Sequence, residues 1–177
     1  MPEREPILER VPALLAARKS VDDVLLTLRQ LDEALGSADG VRWFNVVYRM
    51  VTEAVATDMR AGLWQEPEWL GSLVVSFSGL YFDALVAADQ SPGLAPHAWA
   101  PLFEDRSGPD IARVQFAVAG FNAHINRDLP WALYQNAQDG EYPARSSGQY
   151  NDHLRVNDVL ERVEAEAFAL LSADIDG

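Results

Sequence analysis

Cysteine is absent from this 177-residue chain, and lysine occurs once, at Lys19. Without cysteine there are no disulfides, thiolate metal sites or cysteine nucleophiles, and this composition is typical of proteins in a reducing compartment. A Schiff-base enzyme would depend on the single lysine, which lies beside a predicted helix cap. Thiol chemistry is therefore excluded, and Schiff-base chemistry is a poor fit.

Positive charge is also scarce, with 14 Lys and Arg against 27 Asp and Glu and a net charge of −13. Such a chain repels phosphate backbones and anionic lipid surfaces, so we predict no nucleic-acid partner. The first six residues have neither the basic start nor the apolar core of a secretion signal. We therefore expect a cytoplasmic protein.

Several enzyme motifs are missing from the sequence. There is no G-x-S-x-G elbow, no Walker loop and no dinucleotide fingerprint after a strand, which disfavours serine hydrolases, nucleotide hydrolases and Rossmann enzymes. No alternating apolar and polar pattern is long enough to predict a sheet. The remaining patterns are helical.

Helical spacing of apolar residues accounts for most of the chain. Ser20 and Asp23 form a predicted capping box, and apolar residues then recur at helical spacing as far as Gly36. Residues 1–19 contain a shorter predicted helix, and a further helix follows Gly40 and ends near Gly62. The final helix is expected from about Tyr150 to Ser172.

Two helices are unusually apolar. Residues 69–88 are apolar nearly all round, the pattern of a helix packed on every side, and they are interrupted by Asp83, which disfavours a membrane span. A stripe of small and polar residues on this helix predicts a close approach by another helix; it comprises Ser72, Ser76, Gly79 and Asp83. The second apolar helix is predicted to begin at a capping box of Ser107 and Asp110 and to continue through Ile125.

The predicted architecture is an all-α, single-domain bundle spanning residues 1–177, with about six helices and two apolar central helices. Residues 90–107 contain three prolines and separate the two central helices. We expect this segment to be a loop and a candidate lid over a pocket.

The chemistry is concentrated in the second apolar helix. His124 and Asp128 are four residues apart and belong to the stripe that faces the core. A carboxylate in that position holds one imidazole tautomer and raises the basicity of the other nitrogen, as a general base requires. Asn122 and Asn126 form a second pair on an adjacent face, where amides could polarise a carbonyl. Pro130 should kink the helix if it runs on.

Other residues are second-tier candidates. Candidate substrate-binding residues are Tyr48, Tyr81, Asp83, Trp99 and Phe121. No cofactor is predicted. A metal ion is a weaker alternative, because the chain contains no diagnostic ligand spacing. Its ligands would come from His124, Asp128, Asp83 and His153.

Three functions are compatible with these residues. The first is a small-molecule enzyme that uses His124 and Asp128 for acid-base chemistry on a largely apolar substrate, as a cyclase, isomerase or hydrolase. The second is a non-catalytic ligand-binding or interaction protein, in which the polar cluster is structural and Asp128 merely caps a helix beginning at Leu129. The third is a metal-dependent hydrolase.

The string from Asn122 to Pro130 resembles the signature of an uncharacterised bacterial all-helical family, Asn-Ala-His-Ile-Asn-x-Asp-Leu. The resemblance extends over most of the chain from about Val41. Weaker matches are Tyr48 with Thr52, Glu66-Pro67, Trp69-Leu70, Tyr81-Phe82-Asp83-Ala84, Ala98-Trp99 and Val156-Asn157. The resemblance implies a helical fold and no assigned reaction, cofactor or catalytic residue, since the family is a domain of unknown function.

Overall fold

A computed structural model of the chain describes residues 6–16, 18–137 and 142–172, and in these ranges it contains helices and no strand. The predicted all-α bundle is confirmed. The helices are α1 (Ile7–Arg10), α2 (Val21–Ala34), α3 (Gly40–Arg60), α4 (Pro67–Gln90), α5 (Ala100–Phe103), α6 (Arg113–Ala123), α7 (Leu129–Gln135) and α8 (Gly148–Ser172). Short 3₁₀ turns cover Pro12–Leu15, Pro92–Leu94 and His97–Trp99, and a π turn covers His124–Asp128.

Helix α3 is the central element of the bundle. Thirteen of its 21 residues are buried, and it contacts α2, α5, α6 and α8. Eight of the 24 residues of α4 are buried and five are exposed, so α4 is an apolar helix within the bundle that is less completely covered than α3. Among the described residues, α4 is the one helix that could cross a membrane by length and composition, a property that core helices share.

The stripe of small and polar residues on α4 does not form the predicted close approach at Gly79, although Ser76 accepts a hydrogen bond from Asn136 at the end of α7. Ser72 and Asp83 are exposed, and apart from its chain neighbours and the backbone of its own helix no described atom lies within 4 Å of a Cβ built on Gly79. The close approach occurs instead between α3 and α6. A Cβ on Gly120 would lie 2.4 Å from the Phe44 ring, and one on Gly40 would lie 2.4 Å from Phe116. These two glycines set the distance between the helices.

The two predicted capping boxes had different outcomes. At α2 the capping box is confirmed, since the Ser20 hydroxyl accepts from the Asp23 backbone and the Asp23 carboxylate accepts from the Ser20 backbone. The box at Ser107 and Asp110 is wrong, because these residues lie in turns and α6 begins at Arg113. There the Gln115 side chain accepts from the Ala112 backbone N–H at 2.9 Å.

The segment between α4 and α6 is held against the core. Trp99, Leu102 and Phe103 are all buried, and the Trp99 and Phe103 rings stack with centroids 5.3 Å apart. This segment brings Trp99 to the beginning of the π turn. It therefore anchors the site from one side.

Candidate functional site

The site is built on the π turn that joins α6 to α7. The helix runs on past Pro130, which lies in the first turn of α7, and the Leu129 N–H donates to the His124 carbonyl five residues earlier. Proline supplies no N–H and its ring clashes with the carbonyl four residues before it, so a widened turn relieves the conflict at Asn126. The π turn is thus the helix distortion that accompanies Pro130. Single π turns are frequent at functional sites.

Asp128 does not act as a helix cap. Its backbone is helical, with φ −81° and ψ −37°, and its side chain makes no capping bond within the described chain. Instead the carboxylate turns into the core, where it is fully buried. The structural alternative that treated Asp128 as the N-cap of α7 is wrong.

His124 and Asp128 face the core together, as their spacing predicts. His124 Nδ1 lies 3.0 Å from Asp128 Oδ2, and both residues are almost entirely buried. The Trp99 Nε1–H donates to the same oxygen at 3.1 Å, and Arg127 donates to Oδ1. The carboxylate is thus held by three donors. A carboxylate that is hydrogen-bonded to one ring nitrogen fixes the tautomer and the orientation of the imidazole.

The other nitrogen of His124 is the unusual atom of the site. Nε2 is buried and has no hydrogen-bond partner in the described chain. With Nδ1 donating to Asp128, Nε2 is left as an acceptor. Burial lowers the pKa of His124, an effect opposed by the hydrogen bond to Asp128, so the ring is neutral at neutral pH. An unpaired buried acceptor costs about 1–3 kcal/mol.

Aromatic rings enclose His124. Phe77 stacks on the imidazole with centroids 3.6 Å apart and planes at 7°, and the Tyr48 ring meets it edge-on at 4.7 Å. Phe44 lies edge-on at 5.7 Å. These contacts fix the ring plane, so the direction of the Nε2 lone pair is set before any ligand arrives.

A cavity of about 250 Å³ lies against His124. Its wall comes from α3, α4, the end of α6, the π turn, the first residue of α7 and α8. The lining residues are Tyr48, Val51, Thr52, Val55, Leu70, Leu73, Val74, Phe77, Phe121, His124, Ile125, Leu129, His153, Val156, Asn157 and Leu160. The described lining contains no residue of the 90–107 segment, so the lid predicted there is wrong for this cavity. Helix α8 covers it instead.

Of the candidate substrate-binding residues, Tyr48 and Phe121 line the cavity, whereas Tyr81 and Trp99 do not. Tyr81 is buried, and its hydroxyl donates to Asn45 Oδ1 at 3.2 Å. Trp99 acts on the site through Asp128. Asp83 is on the surface, where it pairs with Arg18 at 2.8 Å. Three of the predicted substrate-binding residues therefore do not reach the cavity.

Asn122 and Asn126 are exposed and hydrogen-bonded to each other at 2.7 Å. They line an open surface depression together with Ala98 and Pro101, away from the cavity. Each lies two residues from His124, and two residues correspond to about 200° around a helix. They therefore point to the opposite face, and the structure does not bring them to the imidazole as polarising amides.

The predicted metal ligands are not gathered into one place. Within the described residues, no group of three or more His, Asp or Glu side chains could hold a metal ion. Asp83 is remote, on the surface, although His153 and His124 share the cavity. His153, a site candidate only in the metal alternative, and Asn157, which was not a site candidate, both lie on the cavity wall. Their four-residue spacing beside Val156 and Leu160 was the available signal.

A model of a family of unknown function, DUF5995, matches residues 21–175. The chain belongs to this family. The expected membership in an uncharacterised helical family is therefore confirmed. No curated protein and no solved structure matches the chain.

Proposed function

We propose that this DUF5995 protein is an enzyme that binds a small, largely apolar molecule and moves a proton on it, with His124 as the general base. One observation carries the proposal: a buried imidazole, held by a carboxylate, has an unpartnered Nε2 and lines an apolar cavity. Buried polar groups are nearly always paired, so an exception points to a role.

The chemistry follows from the two nitrogens. Nε2 takes a proton from the substrate, and the imidazolium that forms keeps its Nδ1–H on Asp128. The carboxylate then stabilises the positive charge, which burial alone would disfavour. Trp99 and Arg127 keep Asp128 in place during this step. General-base assistance of this kind contributes roughly 10²–10⁴-fold to a rate.

Isomerisation and cyclisation suit such a site, because they need proton transfer and a dry, shaped cavity. Hydrolysis, in which Nε2 takes a proton from an attacking water, is the third reaction that the proposal includes. A metal-dependent hydrolase has no specific support, since the ionisable groups on the described cavity wall are His124, His153 and Tyr48.

A second candidate function is non-catalytic ligand binding around a structural cluster. The observation in its favour is that Asp128 ties the 90–107 segment to the π turn through Trp99. A cluster of this type fixes the relative position of elements. The same cavity would then bind a molecule without changing it.

Turnover separates the two candidates. Compounds that raise the melting temperature of the wild-type protein are incubated with it, and the products are analysed by mass spectrometry. His124→Ala, shown to be folded by circular dichroism, should lose roughly 10²-fold or more in rate. His153→Ala is the matched control, because His153 lines the same cavity but its ring is bonded to no carboxylate among the described residues. Full turnover by folded His124→Ala would contradict the proposal.

A further inference from the structure

The cavity that carries the proposed function lacks formal charge. None of the described residues lining it is Lys, Arg, Asp or Glu. Burial lowers the pKa of both histidines in its wall, which keeps them neutral at neutral pH. An ionised ligand would lose its hydration here and gain no counter-charge. The cavity therefore selects against carboxylates, phosphates and ammonium groups.

The deep polar groups of the wall are already engaged, with one exception. The Tyr48 and Ser78 hydroxyls are 2.6 Å apart, and the Thr52 hydroxyl donates to the Tyr48 carbonyl at 2.8 Å. Asn157 donates to the Leu154 carbonyl at 2.9 Å, near the surface. Nε2 of His124 is left as the buried acceptor without a partner among the described residues. A ligand that satisfies it must donate a hydrogen bond.

The volume of the cavity limits the size of the ligand. A cavity of about 150 Å³ holds benzene, with six heavy atoms, so 250 Å³ corresponds to roughly ten. The wall is aliphatic and aromatic: the Phe77 and Tyr48 rings contact the imidazole, and Phe121 lies three residues before it in the chain. The exposed residues Ile125, Asn157 and Leu160 mark its outer end.

We propose that the cavity takes an uncharged hydroxyl compound, an alcohol or phenol of about ten heavy atoms, whose O–H donates to His124 Nε2. This inference rests on the proposed function and names its substrate class. The apolar body of the molecule lies along the aliphatic wall toward Ile125 and Leu160. A site built around a hydrogen bond to a hydroxyl rejects the analogue that cannot donate it, because the buried acceptor is then left unpaired.

The test is calorimetric titration of the wild-type protein at pH 8 with three probes: para-propylphenol, para-propylanisole and para-propylbenzoate. The phenol and the anisole differ in the O–H, and the benzoate adds a negative charge. We expect the phenol to bind roughly tenfold or more tightly than the anisole. The benzoate should bind at least as weakly as the anisole, because its charge is unpaired.

A variant locates the effect. His124→Phe keeps a ring against Phe77 and removes the acceptor, so the preference for the phenol over the anisole should disappear. Trp131→Phe, at an exposed position outside the cavity lining, should retain the preference. The wild-type comparison stands by itself if His124→Phe does not fold.

Equal affinity of the wild type for the phenol and the anisole, or tighter binding of the benzoate, would overturn this inference. The cavity would still bind apolar molecules in that case, and the proposed function would survive. Binding of none of the three probes by the folded wild type would overturn both.

Discussion

Trp99→Phe tests whether the His124–Asp128 pair depends on the hydrogen bond from Trp99 to Asp128. The indole is fully buried, and its Nε1–H donates to the Asp128 carboxylate at 3.1 Å. Phenylalanine keeps an aromatic ring against Phe44 and Phe103 but removes the donor and leaves a void. The substitution should therefore lower both the stability of the chain and the order of the His124–Asp128 pair.

The magnitude follows from two contributions. A hydrogen bond to a charged group contributes about 1.5–3 kcal/mol to the free energy of unfolding. The void left by the smaller ring costs about 1 kcal/mol or more. The expected loss is therefore about 3 kcal/mol.

Two matched substitutions isolate the contribution of the carboxylate. Trp64 is also buried, but its Nε1–H donates to a neutral acceptor, the Val55 carbonyl, at 3.3 Å. Trp64→Phe should cost about 2 kcal/mol, from a neutral hydrogen bond and a similar void. Trp131 is 51% exposed, so Trp131→Phe should change stability by less than about 0.5 kcal/mol.

Urea unfolding followed by circular dichroism measures all three variants, with tyrosine and tryptophan fluorescence as a second probe. A loss of stability in Trp99→Phe no larger than that in Trp64→Phe would contradict this prediction. That result would mean that the bond from Trp99 to Asp128 adds nothing beyond packing.

Three further predictions concern the core and the histidine. Gly120→Ala should lower the free energy of unfolding by about 1–3 kcal/mol, because the added Cβ would overlap the buried Phe44 ring, whereas Gly79→Ala should raise it by about 0.5–1 kcal/mol. Denaturant titration measures both variants, and an unchanged stability in Gly120→Ala would contradict the packing of α3 against α6. Asp128→Asn should lower the pKa of His124 further, because the Asp128 carboxylate raises that pKa. NMR titration of the imidazole measures it, and an unchanged or higher pKa in the variant would contradict the coupling of His124 to Asp128. The contribution of His124 to stability should be constant above about pH 7 and should fall as the pH drops below 6.5, the pKa of His124 in the unfolded chain, because only the unfolded chain then takes up the proton. The loss from this residue is at most about 1.4 kcal/mol per pH unit. Urea titrations between pH 5 and 7.5 should show a shallower slope in His124→Phe than in the wild type.

Much of the fold is local and was predictable. The capping box at Ser20 and the apolar spacing of α2 are contained in a few adjacent residues, and both were confirmed. Gly62, expected just after α3, has φ +69°, a conformation that glycine adopts without strain. The inward direction of His124 and Asp128 follows from a spacing of four residues in a helix.

The errors concern where helix faces meet. Apolar composition suggested α4 as the central helix, but α3 is more deeply buried. Composition reports how apolar a helix is and does not say which neighbours cover it. Asn122 and Asn126 were placed beside the site because they are close in sequence to His124, although two residues carry a side chain to the opposite face.

The helical character of the chain and the shared buried face of a histidine and a carboxylate can be predicted from the amino-acid pattern, because both properties depend on periodicity within a single helix. The bond from Trp99 to Asp128 and the position of α8 over the cavity at His124 depend on tertiary packing. Those contacts join residues about 30 apart in the chain, and they depend on how whole helices pack rather than on any local pattern.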